Sequence, residues 1–144
     1  MFEEKHFTAD QATRTLPLVS RIVADIMERN EELQQVKERY TECTIQAEDP
    51  EQPDCAEEIF QLDEQQMLMM LQIHAYEKEL NEIGGILRDA AHGEVDFLWL
   101  HDGREAHLCW LPGDEALAFW HEIDEDYTVR QPLPQMVLSG DDLA

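Results

Sequence analysis

A chain of 144 residues is long enough for one domain with a real core, and a 43% share of hydrophobic residues excludes intrinsic disorder. A formal charge of −23, from 33 acidic and 10 basic residues, repels phosphate backbones and anionic lipid heads. That sets aside nucleic acid and membrane surfaces as partners, and most of the charge reads as a solvated, solubilising surface.

The N-terminus, MFEEKHFTAD, lacks the basic-then-apolar order of a signal peptide, and no apolar run is long enough to span a bilayer. Cys43, Cys55 and Cys109 are an odd number and do not read as a disulfide framework. A reducing, cytoplasmic location is the expectation.

FTADQA opens the first element. Thr8 is a good helix cap, Gln11 can answer it in a capping box, and Phe7 and Ala12 occupy the staple positions. Pro17 has no N–H and clashes with the turn before it. The pattern therefore predicts a short helix to about Thr15 and a second helix restarting with Pro17 in its first turn. Val19, Ile22, Ile26, Arg29, Leu33, Val36, Tyr40 and Cys43 then recur every three or four residues. After the acidic, proline-bearing TECTIQAEDPEQPDCAEE, the same spacing returns at Ile59, Leu62, Gln66, Met69, Ile73, Tyr76, Leu80 and Ile83. Two seams joined by a polar loop predict an antiparallel helical hairpin over about 17–84. Position numbers of facing residues should sum to about 100, bringing Val36 near Gln66 and Val23 near Leu80. Gly84 and Gly85 suit a left-handed cap at its end.

From Ile86 the period drops to two, and a three- or four-stranded antiparallel meander is predicted over about 86–123. Asp102-Gly103 is a strong tight-turn signal and pairs Trp99 with Ala106, Phe97 with Leu108 and Val95 with Trp110. PGDE is expected to close a second hairpin, pairing Trp110 with Leu117 and Leu108 with Phe119. One face then carries Val95, Phe97, Trp99, Ala106, Leu108, Trp110, Leu117 and Phe119, and should pack on the helices. The other carries Asp96, Leu98, Leu100, Glu105, His107, Cys109, Ala118, Trp120 and Glu122. The fold class is thus α+β, one domain over 1–133, with 134–144 an extended or frayed tail.

FTADQA with LPL, then GEVDF, GRE, LCWLPGDE, FWHEID and RQPL resemble the bacterial domain of unknown function 2203 family. The resemblance spans most of the chain and departs from the family pattern at the long acidic loop 44–58 and at EDYTV. It implies a small cytoplasmic protein of helices plus a short sheet, and it implies no activity.

Three kinds of site are readable. Asp96, His107 and Cys109 lie on the mixed face and form candidate metal ligands with His121, zinc being the ion such donors would suit. His121, however, falls on the opposite face in the expected register, and no CxxC, HxxxH or HExxH motif supports the set. Cys109 with either histidine is also the candidate for nucleophilic chemistry, against the plain reading of a small buried residue. Arg104 and Arg130, with Trp120 and Glu122, are candidates for holding an anionic ligand; structural ion pairs are the weightier reading. Finally, Met67, Met70, Leu71 and His74 form a stripe beside the second seam, beyond the reach of one small sheet. An uncovered stripe of that kind predicts a homodimer through the helices, or another protein partner. The leading expectation is a non-enzymatic interaction or adaptor protein. The alternative is a small metal- or ligand-binding protein, conceivably an enzyme, with its site around Cys109 and His107.

Overall fold

The structure, a computed structural model, describes residues 5–134. Three helices, α1 (Ala9–Arg14), α2 (Leu16–Ala47) and α3 (Ala56–Ile83), precede β1 (Ile86–Asp89), β2 (Glu94–His101), β3 (Arg104–Trp110) and β4 (Phe119–His121). A 3₁₀ turn at Tyr127–Val129 leads to β5 (Gln131–Pro132). The fold is α+β, and the sheet is an antiparallel meander in the order β1-β2-β3-β4-β5. It has one strand more than expected, because Gln131 and Pro132 pair with β4 and Leu133 is buried. The rest of the expected tail, from 135, lies outside the described residues. No helix among the described residues is long and apolar enough to cross a membrane.

The local signals for the helices all act. Thr8 accepts from Gln11 N at 3.0 Å while Gln11 Oε1 accepts from Thr8 N at 3.0 Å, a closed capping box. The helix breaks at Thr15 and restarts with Pro17 in its first turn. α3 stops at Gly84, which takes φ = +114°. The hairpin faces itself as the seams require: Val36, Tyr40 and Cys43 pack against Cys55, Ile59 and Leu62 at the tip. At the other end Val19, Val23 and Ile26 of α2 and Leu80 of α3 form the core with Val95, Phe97, Trp99 and Leu108 of the sheet.

The second β-hairpin departs from the expected register. The Asp102-Gly103 turn has φ = 52° and 81°, and β2 and β3 pair as predicted. Beyond Trp110, however, the chain does not turn straight back. Asp114 ties down a wide loop by accepting from Leu111 N and from the Trp110 indole, through its side chain and carbonyl respectively. Leu117 then leaves the sheet: its N–H donates to Thr13 Oγ1 at 3.0 Å and its side chain fills the core. β4 begins only at Phe119, which pairs with Cys109, while Trp120 pairs with Leu108 and His121 with His107. The strand has slipped by one residue, and in a sheet with period two that exchanges its faces.

Gly84 is the sharpest steric constraint in the fold. A Cβ there would lie 2.2 Å from the Phe7 ring, and Phe7 in turn meets Phe97 edge-on at 5.2 Å. Gly84→Ala is therefore expected to cost more than the roughly 1–2 kcal/mol of left-handed strain alone. Gly103→Ala, also at positive φ but with nothing within 4 Å, isolates that strain. Urea denaturation of the two variants should show the larger loss at Gly84; equal losses would mean that Phe7 does not depend on that space.

Candidate metal centre

The slip in β4 assembles the site. Even-numbered residues of β2 and odd-numbered residues of β3 point away from the helices, which places Glu94, Asp96, His107 and Cys109 together. With Phe119 opposite Cys109, His121 joins them, contrary to the register expected from PGDE. Glu94, Asp96, Cys109 and His121 are each at most 1% exposed, and their donor atoms lie within 4.8 Å of one another.

His121 Nε2 faces three carboxylate oxygens: Glu94 Oε2 at 3.2 Å, Asp96 Oδ1 at 3.1 Å and Asp96 Oδ2 at 3.0 Å. Cys109 Sγ stands 3.7 Å from the same Glu94 oxygen. The other ring nitrogen of His121 is committed, its N–H donating to the Glu122 carbonyl at 2.7 Å. That bond directs Nε2 into the cluster, the arrangement in which a neutral imidazole presents its lone pair to a metal. Asp96 Oδ2 is buried and has no hydrogen-bond partner despite its nearness to Nε2, and His107 Nδ1 is likewise unpartnered. His107 lies one step outside the four, its Nδ1 3.7 Å from Asp96 Oδ2. Arg88, at the irregularity where β1 shifts against β2, holds its Nε 3.6 Å from the same oxygen.

Burial and mutual proximity shift the ionisation of these groups. Burial and the neighbouring Asp96 carboxylate push Glu94 up to about 7. Burial, with the charges of Asp96 and Glu94, pushes the Cys109 thiol up as well, the opposite of an activated nucleophile. Burial alone would lower His121, but the hydrogen bonds to Asp96, the Glu122 carbonyl and Glu94, with the charge of Asp96, together outweigh it and carry the imidazole up to about 9. Burial holds His107 below its ordinary value.

The remaining sequence candidates are dispersed. Arg104 pairs with Glu122, and Arg130 with Asp114 at 2.6 Å, neither with the acids beside it in sequence. Arg130 also lies 3.9 Å over the Phe119 ring, next to the cluster. Trp120 is on the helix-facing side of the sheet, edge-on to Trp99 at 5.7 Å and against His101 at 4.8 Å. The mixed face expected to hold Trp120 and Glu122 holds Phe119 and His121 instead. Met67, Met70, Leu71 and His74 stand exposed on α3, far along the hairpin from the sheet. Glu94 escaped sequence reasoning, although period two from Asp96 places it on the same face; its position at the start of the strand concealed it.

The model of a family described as "Uncharacterized conserved protein (DUF2203)" matches residues 5–133, and the chain belongs to that family. No curated protein and no solved structure matches it.

The upward shifts of Glu94 and His121 set the direction of the metal-free protein's pH response. Between 4.5 and about 7 the folded state keeps a proton on Glu94 that the unfolded state has lost. Between 6.5 and about 9 the same holds for His121. Stability from both groups is present at low pH and lost as pH rises, a change on the order of a few kcal/mol in total. Urea midpoints of chelator-treated protein should fall from pH 5 to pH 9, and His121→Gln should flatten the upper half of that slope. A midpoint that rises over the range would contradict the assignment.

Proposed function

We propose that this chain is a metal-binding protein whose sheet holds one divalent transition ion, zinc by its donor set, in a closed site made of Glu94, Asp96, Cys109 and His121. The observation that carries the reading is the convergence of four fully buried donors from three strands. Tetrahedral zinc, with bonds of about 2.0–2.3 Å, sets its ligands about 3.3–3.7 Å apart. The shortest separations, 3.0–3.2 Å between imidazole and carboxylates and 3.7 Å between sulfur and carboxylate, lie near that range, and all four donors fall within 4.8 Å of one another, a spread that side-chain rotation can close. Charge agrees with geometry. Three anionic donors exceed a divalent ion by one charge, and the Arg88 guanidinium beside Asp96 supplies the balance. An imidazolium in place of the ion cannot do as much, because its one free N–H cannot satisfy three oxygens. Four protein ligands leave no open position, so the ion's role is to stabilise the sheet rather than to act on a substrate.

Untagged protein should carry about one transition ion per chain by elemental analysis. Chelation should lower its melting temperature, and zinc should restore it. Cys109→Ser and His121→Ala should each weaken zinc binding by more than the roughly 10–100-fold typical of outer-shell changes. Absence of stoichiometric metal, together with a melting temperature indifferent to zinc, would sink the proposal.

A second reading concerns partners, and a separate observation favours it. Phe60, Met67, Leu68, Met70 and Leu71 are 54–70% exposed along α3, with no described segment over them. Residues 65–76 carry no charged side chain in a chain of net charge −23. Charge repulsion is thus lowest where the apolar stripe lies, which supports self-association of two hairpins and a non-enzymatic interaction role. The three free thiols support a reducing location, the bacterial cytoplasm that the family resemblance implies. Light scattering over a concentration series should give the mass of a dimer, and Met70→Glu should return it to a monomer. A wild type that is monomeric throughout removes this reading and leaves the metal site untouched.

A further inference from the structure

We propose that Cys43 and Cys55 are a redox pair that closes the tip of the α2–α3 hairpin with a reversible disulfide when a small-molecule disulfide oxidant is present. Folding sorts the odd three cysteines into two roles. Cys109 belongs to the sheet cluster. Cys43, near the end of α2, and Cys55, at the start of α3, meet across the hairpin with their sulfurs within 4.8 Å. Both are buried in one small cluster with Leu62, Ile59, Val36 and Tyr40. Closing that gap to the roughly 2.05 Å of a disulfide is within reach of side-chain rotation at the two Cβ atoms.

The way α3 begins supports the pairing. Its N-cap is Cys55, a residue type poorly suited to capping, and the side chain makes no cap hydrogen bond. Asp54, one residue earlier, accepts from Ala56 N instead. The cap position is thus given to a sulfur that donates weakly to the Pro53 carbonyl at 3.8 Å and lies within 4.8 Å of Cys43 Sγ. A metal is a poorer fit to the same atoms. Glu58, the third donor nearby, is held by Arg39 through both oxygens, at 2.6 and 2.9 Å, and two sulfurs fall short of a closed zinc site.

The chemistry is thiol–disulfide exchange. Cys55, 5% exposed, is more accessible than Cys43, at 0%, and attacks the oxidant first. Its thiolate forms a bond to one sulfur of the oxidant, whose S–S bond breaks and releases one small thiol. Cys43 then loses its proton and displaces the second small thiol from Cys55. Two protein S–H bonds become one S–S bond, the oxidant is reduced to two thiols, and both protons end on them. Burial pushes the Cys43 thiol up to about 11, which makes the second step the slow one.

The test uses full-length reduced protein, with and without one equivalent of zinc, treated with excess oxidised glutathione, quenched by alkylation in denaturant, which exposes all three buried sulfurs, and read by peptide mass spectrometry. Alkylatable thiols in the zinc-free sample are expected to fall from three to one, with a Cys43–Cys55 cross-linked peptide. The urea midpoint should rise, and dithiothreitol should reverse both changes. Cys109→Ser should form the same cross-link. Cys55→Ser should form none and show no change in midpoint. Zinc should leave the cross-link in place, since it occupies the sheet site. Three thiols still alkylatable after oxidation, persistent glutathione adducts at Cys43 or Cys55, or a cross-link involving Cys109 or a second chain would each overturn the proposal. None of those results bears on metal binding at the sheet.

Discussion

Everything on the far side of the sheet depends on how four polar side chains are accommodated in a place closed off from the surface. Glu94, Asp96, Cys109 and His121 are buried as completely as the leucines and valines of the core. An isolated buried charge costs several kcal/mol, so such a set persists only if its members neutralise one another or share a cation. In the metal-free state His121 draws up a proton and Glu94 keeps one. A divalent ion would replace those protons and leave Arg88 to balance the remaining charge. Either way the protonation of this cluster is coupled to the integrity of the sheet.

That coupling explains the arrangement of the segments around it. A half-exposed sheet would let water reach the cluster and reduce its members to ordinary surface acids. Here β5 extends the sheet beyond β4, and Arg130 bridges from Asp114 in the wide loop to the face of Phe119. These contacts tie the C-terminal segment to the loop that sets the register of β4. The hairpin is built differently. α3 buries few residues along its length, so one of its faces remains apolar and uncovered among the described residues, while β2 is buried on both of its faces. The molecule therefore separates a buried, ionisable end from a long helical arm with a neutral, methionine-rich stripe.

The fold was largely legible because its signals are local. Thr8 with Gln11, Pro17, the two seams, Gly84 and Asp102-Gly103 each act through neighbours a few residues away. The site was legible only in part. Asp96, His107 and Cys109 follow from alternation along two strands whose turn is fixed by its own residues. His121 did not, because its strand was assigned by a turn signal, PGDE, that the folded chain does not use as a tight turn. Arg104 and Arg130 found partners 18 and 16 residues away, and no spacing rule encodes those pairs.

The sequence by itself determined the helical hairpin, the first β-hairpin and the apolar face that joins them, since periodicity and capping are properties of short windows. The tertiary structure alone decided the face on which His121 lies. Leu117 gives its N–H to Thr13, more than a hundred residues earlier, and in doing so leaves the sheet and moves β4 by one position. Alternating strands turn a one-residue shift into a change of face. A single long-range hydrogen bond and one buried leucine thereby separate a histidine on the helix-facing side of the sheet from one that joins Glu94, Asp96 and Cys109 in a buried cluster.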